Sequence, residues 1–125
     1  ANRSADKAHA LATHFSALGP VVGGSYADLA KLAGRPFDLV INATSASLGG
    51  ELPPLPAGVF ASGSLAYDMM YGKNETPFLA FARSQGAARL ADGLGMLVEQ
   101  AAEAFFVWRG VRPDGAPVMT LLRTL

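Results

Sequence analysis

Apolar residues recur at helical spacing between Ser4 and Leu18, where Ala8, Leu11, Ala12, Phe15 and Leu18 share one face. Ser4 is a cap-capable residue ahead of them, and Gly19-Pro20 stops the run, so the pattern predicts an amphipathic helix over 4–18. Val21-Val22 is a short strand candidate. Ser25 then caps a predicted helix from Tyr26 to about Ala33, with Leu29 and Leu32 on its inner face and Gly34-Arg35-Pro36 as its stop. Phe37 to Thr44 is the clearest strand, an apolar run with β-branched residues of the kind found when both faces of a parallel sheet are covered. Ser45 to Ala57, with Gly49-Gly50 and three prolines, reads as loop. Leu65 to Met69 reads as a second strand. Thr76 and Pro77 supply the N-cap and first residue of a helix over Phe78 to Gln85, closed by Gly86. Arg89-Leu90-Ala91 is a short extended piece. Met96, Leu97, Ala101, Ala104, Phe105 and Trp108 mark a long helix ending at Gly110, and Pro117 opens a last one over Val118 to Leu125. Strands alternating with helices predict an α/β fold with a mostly parallel sheet.

Composition narrows the function classes. The 125 residues are half hydrophobic and 16% charged, which excludes a disordered polar chain and sets one domain as the ceiling. Ten Lys and Arg balance ten Asp and Glu, so a nucleic-acid partner is not expected, because phosphate neutralisation needs a surplus of cations on one face. There is no cysteine, and His9 and His14 are five apart, the wrong spacing for one helix face; no metal site is expected, and both histidines read as solvent-facing. The first residues lack the apolar core of a signal peptide, and no run of 18 apolar residues occurs, so a soluble cytoplasmic protein without a membrane span is expected.

In an open α/β sheet, ligands sit outside the carboxyl ends of the strands. Asn2-Arg3-Ser4 followed by Lys7 places an amide, a guanidinium, a hydroxyl and an ammonium around one helix N-terminus. Free helix N–H groups and the helix dipole add to that cation charge, which makes a phosphate cradle; the same residues also read as a capped helix with exposed cations. Thr44 and Ser45 offer small polar groups at a strand end, or simply a polar turn. In Tyr67-Asp68-Met69-Met70-Tyr71 a charge and two phenols interrupt an apolar strand. Burying Asp68 requires partners, so it reads as structural, while Tyr71, just past the strand, is the better ligand candidate. Gly93, in Gly93-Leu94-Gly95, lets a backbone approach a flat ring, but it lacks the preceding apolar strand and third glycine of a dinucleotide fingerprint. Glu99 fits a solvated helix face; Gln100 is either buried or faces a ligand.

Taken in order, five segments resemble the shikimate dehydrogenase family. They are Asn2-Arg3-Ser4-x-x-Lys7, Asp38 to Ser45, Tyr67 to Tyr71, Thr76-Pro77-Phe78-Leu79, and Ala91 to Ala101 with Asp92-Gly93-Leu94-Gly95-Met96-Leu97-Val98-x-Gln100 inside it. The resemblance covers the second half of that enzyme, which reduces 3-dehydroshikimate to shikimate with NADPH on the route to aromatic amino acids. It implies a Rossmann-like NADP-binding domain over 1–92 that lacks its first two strands, and C-terminal helices over 93–125 that return to an absent substrate domain. It also implies that Asn2, Arg3, Ser4 and Lys7 surround the adenosine 2′-phosphate, with Ser4 and Lys7 standing where Thr and Arg are commoner. Thr44 and Ser45 would line the cofactor cleft, Met69 and Gly93 would flank the nicotinamide, and Tyr71 and Gln100 would hold shikimate.

The family's Gly-rich loop and its catalytic Lys and Asp belong upstream of Ala1, so no catalytic residue is assigned here. The chain is expected to be part of a longer enzyme and inactive without the N-terminal domain; a homodimer is compatible with these features. Without the first two strands, Val21-Val22 should be unpaired and the Asp38 to Thr44 strand exposed along an edge. Two rivals remain: a quinate/shikimate dehydrogenase paralogue that accepts NAD, which the cationic cluster disfavours, and a non-catalytic nucleotide-binding or scaffolding module.

Overall fold

The computed structural model describes residues 1–32, 34–44, 46 and 50–124. Helix α1 spans Ala5–Phe15 and runs into a short 3-10 turn over Ser16–Leu18; α2 spans Tyr26–Ala30; strands β1 and β2 span Phe37–Asn42 and Phe60–Asp68. Helix α3 (Pro77–Ser84), strand β3 (Arg89–Ala91), α4 (Leu94–Arg109) and α5 (Ala116–Leu122) complete the order. The sheet runs β1-β2-β3 with both pairs parallel, as the alternation of strands and helices predicts.

The caps follow local chemistry. Ser25 and Asp28 form a full capping box at α2, and the Lys31 ammonium and Ser25 hydroxyl hold the Asp28 carboxyl well below the ordinary carboxylate range. Thr76 accepts the Leu79 N–H ahead of Pro77. Gly110, at φ 71°, adopts the left-handed conformation that ends α4. Helix α2 is shorter than its apolar pattern: Lys31 and Leu32 turn out of the helix, and Ala33 lies outside the described residues. At the far end α5 stops at Leu122, three residues before the predicted end at Leu125, which also lies outside the described residues.

Two strand expectations are corrected. Val21-Val22 is not a strand: as expected it is unpaired, because among the described residues β1 is an edge of the sheet and these residues do not join it. Strand β2 is longer than Leu65–Met69, beginning at Phe60 and ending at Asp68, one residue before Met69. Its early part, Phe60-Ala61-Ser62-Gly63-Ser64, is irregular. Between the pairs Phe37–Phe60 and Leu39–Leu65, β1 advances two residues while β2 advances five, and Gly63, at φ 80°, supplies the left-handed turn this bulge needs.

One face of the sheet carries the core. Ala66 and Phe60 of β2 and the preceding Val59 pack against Phe78, Leu79 and Ala82 of α3, with Val40, Leu55 and Leu90 around them. On the opposite face, Phe37, Leu39 and Ile41 of β1 are 38%, 50% and 55% exposed. The exposed edge expected for this strand is therefore present, whereas the two-sided cover read from its apolar run is not. Among the described residues, no helix is long and apolar enough to cross a membrane.

Candidate functional site

The carboxyl ends of β1 and β2 meet in a buried polar cluster centred on Asp68, whose side chain is fully enclosed. Its Oδ1 accepts the Asn42 amide at 3.2 Å and the Met70 N–H at 3.1 Å, and its Oδ2 accepts the Thr76 hydroxyl at 2.5 Å. Asn42 in turn accepts both the hydroxyl (2.8 Å) and the backbone N–H (3.2 Å) of Thr44. A carboxylate buried without partners would be costly, so this arrangement explains how a charge ends an apolar strand. It joins three elements at one point: the exit of β1, the exit of β2 and the N-cap of α3. Thr44 and the Met69–Tyr71 segment leave the sheet from that point.

Immediately beyond it, Met69 and Gly93 are brought into direct contact. The Gly93 N–H donates to the Met70 carbonyl at 3.0 Å, and a Cβ at Gly93 would lie 2.0 Å from the Met69 carbonyl oxygen. The expectation that Gly93 permits a close approach thus holds in a different sense, because the group approaching it is the Met69 backbone. Met69 (38%) and Tyr71 (47%) are exposed. Gln100 lies farther along α4 on an exposed position, its amide donating to the Leu97 carbonyl at 3.0 Å. The geometry therefore groups Thr44, Met69, Tyr71 and Gly93 around the strand ends and leaves Gln100 on the helix beyond. Ser45 lies outside the described residues.

The N-terminal cluster forms a separate part of the site. Ser4 is the N-cap of α1 by position, yet its hydroxyl caps no helix N–H, and its own N–H donates to the Asn2 side chain at 3.1 Å. Arg3 and Lys7 are exposed and take part in no ion pair among the described residues. A guanidinium, an ammonium and an uncommitted hydroxyl thus surround the positive end of an 11-residue helix, a donor set suited to a phosphate monoester. Asp6 is the acidic residue of the helix's first turn. The backbone of Asn2 is tied to the loop before α2 by a 3.0 Å bond to the Gly24 carbonyl. A groove of about 180 Å³ lies along β1, lined by Ala1 at one side and by Asn42 and Thr44 at the strand end.

Sequence reading missed the partner of Asp92. Both of its carboxylate oxygens bind the Arg123 guanidinium, at 2.6 and 2.7 Å, and Oδ1 also accepts the Leu94 N–H at the start of α4. Hydrogen bonding to Arg123 lowers the Asp92 pKa and raises that of the arginine, against the opposing effect of burial. The two residues are 31 apart, so no local spacing could have paired them.

The chain is similar to known proteins over nearly all of its length. The family described as "Shikimate 5'-dehydrogenase C-terminal domain" matches residues 93–123. The shikimate dehydrogenase (NADP(+)) of Dechloromonas aromatica is 71% identical over 98% of the chain. Among solved structures, an Ael1 enzyme from Pseudomonas putida superposes over 97% of the chain and 43% of its own, with 54% identity and a TM-score of 0.85. The shikimate 5-dehydrogenase of Thermus thermophilus in complex with NADP(H) and shikimate matches 98% of the chain and 44% of its own, with 30% identity and a TM-score of 0.76. The chain spans 44% of the length of the Dechloromonas relative. By sequence and by fold, this chain matches the C-terminal part of shikimate dehydrogenases over nearly all of its length.

Proposed function

We propose that the chain is the cofactor-binding part of an NADP-dependent shikimate dehydrogenase, which reduces the C3 ketone of 3-dehydroshikimate with NADPH. NADPH supplies the hydride when bound. In this reading Arg3, Ser4 and Lys7 hold the 2′-phosphate, with Asn2 setting the backbone of the loop. Arg3 can make a two-point contact that Lys7 cannot. Thr44, with the adjoining Ser45, lines the cleft, and Met69 and the Gly93 backbone flank the nicotinamide end. Tyr71 donates a phenol to the substrate, with Gln100 contributing from α4. The alkoxide formed at C3 needs a proton, and the family's Lys–Asp pair would give it from outside these 125 residues, so the chain alone is inactive. Residues 93–125 would pack on the substrate domain, a role supported by the exposed Phe105, Phe106 and Trp108 of α4. A cytoplasmic location, and a dimer of the whole protein, fit the same reading.

The observation that carries the cofactor assignment is the set of unpaired cations at the start of α1, beside an N-cap hydroxyl that caps nothing. The test is Arg3→Asp in the full-length gene product, following NADPH and NADH oxidation with 3-dehydroshikimate. A charged hydrogen bond contributes about 1.5–3 kcal/mol. NADPH preference should therefore fall by roughly 10- to 150-fold. An unchanged preference refutes the assignment of Arg3, and efficient NADH use by the unmodified protein favours the quinate/shikimate paralogue.

A further inference from the structure

We infer that Arg123 is a positioning residue for the nicotinamide end of the cofactor, acting through Asp92 on the junction between Gly93 and Met69; this rests on the proposed dehydrogenase function. Arg123 caps the C-terminal end of α5, far along the chain from every residue assigned to cofactor or substrate. Its guanidinium nevertheless grips both carboxylate oxygens of Asp92 in a planar two-point contact. The Asp92 side chain is only 12% exposed, whereas the carboxylates of the described ion pairs Lys31–Asp28, Arg83–Glu75 and Arg112–Glu99 are 36–64% exposed. Exposed pairs contribute little, and this fork is shielded on its carboxylate side, with the Arg123 side chain itself 50% exposed.

What it holds is the turn between β3 and α4. Asp92 uses the same Oδ1 to accept the Leu94 N–H, which fixes the direction in which α4 departs. The residue between, Gly93, is wedged against the Met69 backbone and donates to the Met70 carbonyl at 3.0 Å. Releasing Asp92 from the fork would loosen its hold on the Leu94 N–H and so the turn through Gly93, which lies against the Met69 backbone and is tied to the Met70 carbonyl. Arg123 closes this chain of contacts from the outside and couples the placement of α5 to the strand ends. Lysine in its place would keep the charge and lose the fork.

The test compares the full-length gene product with Arg123→Ala, Arg123→Lys and Asp92→Asn. Three readouts are taken well below the thermal midpoint: kcat and KM with NADPH and 3-dehydroshikimate, the dissociation constant of 2′,5′-ADP, and exchange of the Gly93 and Leu94 amides, which donate to the Met70 carbonyl and to Asp92. The 2′,5′-ADP probe reports on the α1 end of the cofactor alone. Arg123→Ala should lower kcat about tenfold, speed exchange at both amides about tenfold, and leave 2′,5′-ADP affinity within twofold. Arg123→Lys should fall between it and the unmodified protein, and Asp92→Asn should match Arg123→Ala. Loss of 2′,5′-ADP affinity in step with kcat would reveal a general structural defect and overturn the inference. Unchanged kcat in Arg123→Ala would overturn it as well. An unmodified protein that does not oxidise NADPH with 3-dehydroshikimate overturns the dehydrogenase reading and the nicotinamide role with it. In that case faster exchange in Arg123→Ala would still identify the junction it holds, which separates the two failures.

Discussion

Substituting the two glycines of Gly93-Leu94-Gly95 one at a time should have opposite effects on stability. Gly93 has φ −75° and ψ −1°, an ordinary conformation for alanine, so no backbone strain arises on substitution. The cost is purely steric. A Cβ there would lie 2.0 Å from the Met69 oxygen, about 1.3 Å inside the roughly 3.3 Å at which carbon and oxygen meet. The atom in the way is backbone, anchored by the hydrogen bond from the Met69 N–H to the Asn42 carbonyl, and cannot swing aside. Overpacking of this kind costs about 1–3 kcal/mol. Weakening the 3.0 Å bond from Gly93 to Met70 adds about 1 kcal/mol. Reduced freedom of the unfolded chain returns about 0.4–1 kcal/mol, leaving a net loss of about 1–3.5 kcal/mol for Gly93→Ala.

Gly95, inside the first turn of α4, has no atom within 4 Å of a built Cβ. Alanine there removes the conformational penalty of a helical glycine and should stabilise by about 0.5–1 kcal/mol. Urea unfolding of the full-length gene product, read by circular dichroism, measures both. Equal midpoints for the two variants, or a Gly95→Ala protein less stable than Gly93→Ala, would refute the steric argument. Loss of NADPH affinity in Gly93→Ala with no loss of stability would point instead to a glycine kept only for the cofactor.

Three further outcomes follow from buried polar groups. The Ser64 hydroxyl is buried and has no hydrogen-bond partner among the described residues, so Ser64→Ala should raise stability by up to about 1 kcal/mol, seen as a higher thermal midpoint. Asp68→Asn would set an amide N–H₂ against either the Thr76 hydroxyl or the Asn42 amide, and should cost about 1.5–3 kcal/mol in urea unfolding; a loss below about 0.5 kcal/mol would contradict the network. Hydrogen bonding to Arg123 depresses the folded-state pKa of Asp92, so its stabilising effect is complete above the ordinary carboxylate value of about 3.9 and is lost as pH falls through the folded-state value. The stability gap between unmodified protein and Asp92→Asn should accordingly be constant near neutrality and close in acid. A gap that widens on acidification would show the sign to be wrong.

Local signals carried most of the element order. Thr76-Pro77 and Ser25 marked two helix starts because capping chemistry acts over three residues, and Gly110 marked the end of α4. Phe60 to Ser64 went unrecognised because small polar residues and a glycine have low β-propensity; the pairings of Phe60 and Leu65 on either side keep this bulged stretch in the central strand. Val21-Val22 is the reverse case, with strand-forming side chains but no neighbour to bond. The same division runs through the candidate site. Asp68 could be read as a charge needing partners, and Thr76 as a cap, from single residues and near neighbours. That each is the other's partner across eight residues, and that Arg123 returns to Asp92 across 31, depends on the tertiary path of the chain.

Strand β1 shows what its apolar pattern encodes. Val40 and Asn42 face the core, while Phe37, Leu39 and Ile41, on the alternate positions, are roughly half exposed. Burying such a side chain fully contributes about 1.5–3 kcal/mol, so cover over these three would add roughly 3 kcal/mol to what is already in place. That is a substantial share of the about 5–15 kcal/mol by which a domain is stable. Trp108, 77% exposed, and Phe105 and Phe106 on α4 present the same excess of apolar surface at the other end of the chain. A continuous apolar run predicts the surroundings in which a strand is stable, and the described elements provide one side of them. The relatives that match this chain are more than twice its length. Phe37, Leu39 and Ile41 also line the groove that reaches Asn42 and Thr44, so a group seated in that groove would cover part of this exposed apolar surface.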